Sequence, residues 1–246
     1  MFFNSKLKNH RINSIDQKKD QLRKFNIDFL VIIKFNKVFS LITAEKFIKK
    51  IIFDKLRSKF IYVSKNFRFG RKRTGNINTL KKNENLFNYK TMITPPFKKS
   101  NKIISSTLIR KSLSLGKIKE TNKLLTRPWC IIGKVLRGSK RGRKIGFPTC
   151  NLSLDSYIVP KLGVYSVNIS AKNFNRRGIA NIGYRPTFNG QNLLLEVNIF
   201  GINKNLYNKE LKVYFKKFIR PEKKFKNLEQ LKKQIKTDII QSKINV

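Results

Sequence analysis

From Trp129 onward the chain is a succession of short apolar runs broken by turns: Cys130–Leu136, Gly163–Ser170, Gly178–Ile182, Leu193–Phe200 and Leu211–Phe218. Strands of that length at that spacing predict a small antiparallel barrel, an architecture that hides strand edges by closing on itself. A final helix is signalled by Asn227 as N-cap, by Gln230 three residues on, and by the stripe Leu228, Leu231, Ile235 and Ile239. In Leu193–Phe200 the alternation puts Leu193, Leu195, Val197 and Ile199 on one face and Leu194, Glu196, Asn198 and Phe200 on the other. Glu196 is the one acid of this half with apolar strand on both sides. It is a candidate general base, although an acid on a strand is more often simply solvated.

Overlapping the end of the first run and leading toward the second is GKVLRGSKRGRKIGFPTCN, from Gly133 to Asn151. Gly138, Gly142 and Gly146 recur every fourth residue, with Arg141 and Arg143 among them, and Phe147-Pro148-Thr149-Cys150-Asn151 follows. Glycines let backbone N–H groups close on a phosphate, and arginines add charge-assisted donors. Thr149 and Asn151 point to one side of an extended segment and carry neutral oxygens, which suit Mg²⁺ when phosphates supply the negative charge. A basic glycine-rich loop also serves as a solvated turn, and residue chemistry leaves both readings open. A Walker A loop is excluded, because Ser139 precedes Lys140 where that motif needs the reverse order.

The first half has a different rhythm. Phe29-Leu30-Val31-Ile32-Ile33 and Phe60-Ile61-Tyr62-Val63 read as strands buried on both faces. Between them Thr43 caps a helix with the stripe Phe47, Ile48, Ile51, Ile52 and Leu56. Strand, helix, strand predicts a βαβ unit with a parallel sheet. Residues 77–100 continue as a third such segment that ends at Pro95-Pro96. Ile103–Arg110 then places Ser105, Ser106 and Thr107 at a helix start, a capped terminus of the kind that also binds phosphate. The change of character puts the domain boundary near residue 127.

Composition bounds the chemistry. His10 is the single histidine, and Cys130 and Cys150 are the only cysteines, so neither a disulfide framework nor a zinc site is expected, and Ser-His-Asp or Cys-His chemistry is nearly excluded. The net charge of +43 would ordinarily point to nucleic acid. The lysines are spread along the chain, however, with abundant Asn, Ile and Phe. The charge therefore reads as compositional drift, with non-specific RNA binding as a side effect. No apolar run is long enough to span a bilayer and the amino terminus does not read as a signal peptide, so a cytoplasmic protein without membrane contact is expected. The sequence sets no oligomeric state.

The order RGSKRGRKIGFPTCNL, LGVYSV, GIANIGYRPTFNG, LLLEVNIF, NLYNKELKVYF and FIRPEKKF, over about residues 128–242, resembles riboflavin kinase as found at the carboxyl end of the bacterial bifunctional riboflavin kinase/FAD synthetase. The resemblance implies a six-stranded Greek-key barrel with a C-terminal helix over 128–246. It implies a kinase that transfers the ATP γ-phosphate to the 5′-hydroxyl of riboflavin, giving FMN. Thr149 and Asn151 fall on the family's PTAN motif and would ligand Mg²⁺ of ATP. Glu196 falls on its catalytic base. Gly138, Arg141, Gly142, Arg143, Gly146, Phe147 and Pro148 would belong to the ATP loop, and Arg220, Glu222 and Phe225 to a flap over the flavin ring. Where the family commonly has His this chain has Asn198.

Residues 1–127 resemble the other half, the Rossmann-like FMN adenylyltransferase, through LITAEKFI, NFRFGRKRTGN and IISSTLIR. Ser105, Ser106, Thr107 and Arg110 fall on a motif that contacts ATP phosphates. The family's G-x-F-D-G-x-H-x-G-H loop has no counterpart in this sequence. The resemblance therefore implies a truncated half with adenylyltransferase activity lost or very weak.

Overall fold

The computed structural model describes residues 10–99, 102–138, 141–154, 157–187, 190–202 and 204–244. They form two compact units. Asp28–Ile104 makes one, and the described residues before Asp28 together with Ser105–Val246 make the other. Helix α1 (Ile15–Arg23) therefore belongs with the barrel, and the first unit is an excursion of the chain between α1 and the helices that follow residue 104. Ser14 starts α1 with a complete capping box: its hydroxyl accepts from Gln17 N–H, and the Gln17 side chain accepts from Ser14 N–H.

The first unit runs α2 (Lys37–Ser40), α3 (Ala44–Phe47) continuing as a π-helix over Ile48–Lys55, β1 (Phe60–Ser64), α4 (Ile77–Lys82), α5 (Glu84–Phe87), β2 (Lys90–Thr94) and a two-residue hairpin, β3 (Lys98–Lys99) with β4 (Lys102–Ile103). Thr43 caps α3 as expected, accepting from Lys46 N–H. Strands β1 and β2 pair in parallel across α4 and α5, so the βαβ unit exists. It uses β1 and β2, however, where the periodicity predicts Phe29–Ile33 and Phe60–Val63. Residues 28–36 have no regular structure, Phe29 to Ile33 are exposed, and of β1 only Val63 is buried. A strand buried on both faces needs ladders and packing layers around it. The described sheet here has two strands, and its packed residues gather in one cluster around Ile48, Ile52, Val63, Phe69 and Leu80.

The second unit continues with α6 (Ser106–Ser114), α7 (Ile118–Leu125), β5 (Cys130–Lys134), α8 (Arg141–Lys144), β6 (Cys150–Ser153), β7 (Gly163–Ala171), β8 (Phe174–Thr187), β9 (Gly190–Ile199), β10 (Glu210–Arg220) and α9 (Leu228–Lys243). The strands form one antiparallel sheet in the order β5-β10-β7-β8-β9-β6. The meander β7-β8-β9 with β10 returning beside β7 is a Greek key. Leu136 N–H donates to the Asn151 carbonyl at 2.8 Å, which brings the end of β5 onto β6 and nearly closes the barrel. Alternate residues fill the interior: Leu195 and Val197 of β9, Val167 and Ile169 of β7, and Leu211, Val213 and Phe215 of β10 are all at most 1% exposed. Asn227 caps α9 through Gln230 N–H. None of the described helices is long and apolar enough to cross a membrane.

The expected boundary near residue 127 does not coincide with the compact units. Trp129 is fully buried, and its indole N–H donates to the Ile12 carbonyl at 2.8 Å. Gln17 donates to the Cys130 carbonyl at 2.9 Å and accepts from the Tyr157 hydroxyl at 2.9 Å. Asn122 of α7 donates to the Phe215 carbonyl and accepts from Trp129 N–H. A fragment cut at residue 128 loses every one of these partners, and each buried polar group left unpaired costs about 1–3 kcal/mol. Such a fragment is expected to unfold at clearly lower urea than the barrel of the whole chain. Fluorescence of Trp129, the only tryptophan, reports the transition.

Candidate active site

Register builds the site. Asn151 of β6 stands opposite Glu196 of β9, Glu196 opposite Asn181 of β8, Asn181 opposite Val164 of β7, and Val164 opposite Arg220 of β10. One row across five strands thus carries an amide, a carboxylate, a second amide and a guanidinium. The alternation read from the sequence holds: Leu195, Val197 and Ile199 are buried, while Glu196 and Asn198 are half-buried on the other face.

That face opens into a cavity of about 480 Å³ between the sheet, the α8 loop and α9. Gly142, Phe147, Thr149, Glu196, Arg220, Glu222 and Phe225 line it, together with Leu228, Leu231 and Ile235 from α9. Its walls are mainly apolar with a few convergent polar groups, the usual character of a small-molecule site. On its other side Thr149 lines a second, smaller hollow with Arg143, Pro148, Cys150, Lys204 and Tyr207. Thr149 therefore stands where an apolar cavity meets a basic one.

Two glycines set the approach of the loop. A Cβ at Gly142 would collide with the Phe147 carbonyl and lie 3.3 Å from Thr149 Oγ1. A Cβ at Gly138 would collide with the side-chain amide of Asn151. Asn151 is 7% exposed, and its Oδ1 finds no hydrogen-bond partner among the described residues. A dry, unpaired carbonyl oxygen is costly unless something else satisfies it, so this donor set fits a hard cation. Among the described residues no three His, Cys, Asp or Glu side chains cluster as metal ligands, so a metal here would rest on neutral oxygens and on substrate phosphates. Cys150 and Cys130 are free thiols, and burial pushes both up, Cys130 to about 12.

The cavity roof is fastened by an ion pair the sequence reading did not identify. Arg220 Nε and Nη2 donate to Asp238 Oδ1 and Oδ2 at 2.8 and 2.7 Å, and Gln234 donates to the same carboxylate at 3.0 Å. Asp238 is 1% exposed. The signal was present in the sequence, since Asp238 lies three residues past Ile235 and seven past Leu231, inside the apolar stripe of α9. The Arg220 guanidinium also sits 5.9 Å from the ring centroid of Phe225, and Asn181 donates weakly to Glu222 at 3.4 Å.

Gly146 and Asn151 line neither cavity, and Gly138 only packs on Asn151. Arg141 begins α8, but its side chain lies outside the described residues. Ser105 caps α6 through Leu108 N–H; Ser106 and Thr107 form its exposed first turn. Arg110 donates to the His10 carbonyl at 2.9 Å. All four residues belong to the barrel's compact unit, although the sequence assigns them to the amino-terminal half. The reason is packing: Ile109 and Leu113 of α6 are buried, and Leu113 accepts from Lys161 N–H through its carbonyl.

Comparison with known proteins agrees with this geometry. Residues 125–245 match the riboflavin kinase family model and residues 1–108 match the FAD synthetase model. The second match lends no support to the expected truncation of the amino-terminal half. The chain is 44% identical over 243 residues to the bifunctional riboflavin kinase/FMN adenylyltransferase of Buchnera aphidicola subsp. Schizaphis graminum, covering 97% of this chain and 78% of that one. It is 34% identical over 229 residues to the protein of that description from Escherichia coli K12, covering 93% and 73%. A crystal structure described as a macrolide-efflux protein from Streptococcus pneumoniae superposes with a TM-score of 0.83 at 32% identity, covering 96% of this chain and 76% of that one.

Proposed function

The chain belongs to the bifunctional riboflavin kinase/FMN adenylyltransferase family, and on that premise we propose that it phosphorylates riboflavin at the 5′-hydroxyl with ATP, giving FMN. The observation that carries this reading is that Glu196 and Asn181, neighbours across β9 and β8, face the larger cavity, while Thr149 lines both that cavity and the hollow that holds Arg143 and Lys204. The isoalloxazine and ribityl chain occupy the cavity under α9, between Arg220, Glu222 and Phe225. The nucleotide lies on the side of Arg143, with Gly138, Arg141, Gly142, Gly146, Phe147 and Pro148 forming the loop around its phosphates. Glu196 takes the proton of the ribityl hydroxyl as that oxygen attacks the γ-phosphorus, and ADP leaves. Thr149 and Asn151 would hold Mg²⁺, which would neutralise charge on the phosphates. The protein's own contribution is positioning and electrostatics, which suffice for phosphoryl transfer.

The adenylyltransferase half is a separate matter. We propose that adenylyl transfer by these 246 residues, whose one histidine is His10, is lost or very weak, because the histidines of that family's G-x-F-D-G-x-H-x-G-H loop are not among them. The functional division lies at 1–127 and 128–246, with Ser105, Ser106, Thr107 and Arg110 as phosphate contacts of the first half.

One assay tests both statements. Riboflavin, ATP and Mg²⁺ are incubated with the whole chain, and the flavins are separated by chromatography. FMN without FAD is the expected outcome. FMN followed by FAD overturns the second proposal alone, and absence of FMN overturns the first.

A further inference from the structure

We propose that Asn198 is a positioning residue that peels Thr149 off the barrel sheet and fixes it at the junction of the two cavities. The proposal rests on the kinase reading of the same site. The ladder between β6 and β9 begins at Cys150 opposite Val197. Continued one step, the register would bring Thr149 opposite Asn198, and Thr149 would be one more strand residue. The ladder stops instead, and the Asn198 side chain replaces it. Its Nδ2 donates to the Pro148 carbonyl at 2.8 Å.

Pro148 has no N–H to offer a ladder, so a side-chain donor is the economical partner for its carbonyl. The bond anchors the peptide that joins Pro148 to Thr149. Gly142, with no room for a Cβ, packs against this segment from the loop side. Thr149 is thereby held between β9 and the α8 loop, exposed to both cavities. Asn198 lies two residues from Glu196 on the same strand face, so one rigid strand fixes both the proposed base and the support of the proposed metal ligand.

Two variants remove the donor and keep the side chain's size: Asn198→Leu, and Asn198→Asp, whose carboxylate also repels the Pro148 carbonyl. Asn198→His keeps an N–H donor. Because Asn198 is half-exposed, all three are expected to fold. Loss of one net hydrogen bond predicts a KM for Mg-ATP raised roughly five- to ten-fold in the Leu and Asp variants. Asn198 also lines the larger cavity, so riboflavin affinity, measured by flavin fluorescence without ATP, serves as the comparison and should fall less than the KM for Mg-ATP rises. Hydrogen exchange supplies a readout that does not depend on activity: the peptide covering residues 147–152 should take up deuterium faster in both variants and return toward the parent rate in Asn198→His.

If the parent makes FMN and the Leu and Asp variants match it in both KM and exchange, the positioning role is overturned. An equal loss of riboflavin affinity also overturns it, since Asn198 would then act through the larger cavity that it lines. If the parent makes no FMN while exchange still rises in the variants, the kinase reading fails and the positioning of Thr149 stands.

Discussion

Glu196→Gln is expected to reduce FMN formation by about 10²–10⁴-fold, the ordinary worth of a positioned general base, while the barrel stays folded. The two outcomes separate because the two faces of β9 do different work. Leu195, Val197 and Ile199 carry the packing and are untouched by the change. Glu196 sits on the opposite face, lining the cavity, and Gln preserves its length and one acceptor oxygen while removing its basicity. Riboflavin binding should therefore survive, and the loss should appear in kcat. Chromatography of flavins gives the rate, and thermal unfolding gives the control. A barrel that served only to bind RNA would show no change in its salt-dependent binding on this substitution. A near-parental rate of FMN formation would remove Glu196 from the base role.

Much of this was legible in the chain because a barrel strand declares its two faces by alternation. Leu195, Val197 and Ile199 against Glu196 and Asn198 could be read directly, as could the capped helix at Asn227. Strand β6 was less visible, since four residues beside a glycine-rich loop carry little periodicity. Phe29–Ile33 shows the converse error. Five apolar residues in a row say that a segment would be buried if a sheet received it, and say nothing about whether strands exist to pair with it. The allocation of α1, α6 and α7 to the barrel was equally hidden. It rests on long-range contacts, such as Gln17 of α1 with Tyr157, Asn122 of α7 with Phe215 and the burial of Leu113 of α6, for which local pattern holds no signal. Thr149, Glu196, Arg220, Glu222 and Phe225, named through the resemblance, do line one cavity, but the partner that holds Arg220 was not named. Asp238 shares the stripe of Leu231 and Ile235, a place that marks an acid as inward and hence paired.

That pair carries the second large expectation. In Asp238→Ala the Arg220 guanidinium, 19% exposed, loses both oxygens of a bidentate partner and keeps only its bond to the Pro221 carbonyl beside the Phe225 ring. Removing one member of a buried pair leaves an uncompensated charge and typically costs about 3–5 kcal/mol, a large share of a domain's stability. The variant should show a marked fall in melting temperature. Arg220 lines the cavity, so it should also bind riboflavin more weakly, and stability and binding would fall together. A second variant separates them. Replacing both partners by apolar residues, Arg220→Met with Asp238→Leu, removes the unpaired charge and should restore most of the stability. It leaves the cavity without its guanidinium, so riboflavin affinity should stay low. If affinity returned with stability, Arg220 would be a strut for α9 and nothing more. If Asp238→Ala cost less than about 1 kcal/mol, the pair would behave as a solvated surface contact, which its burial beneath α9 argues against.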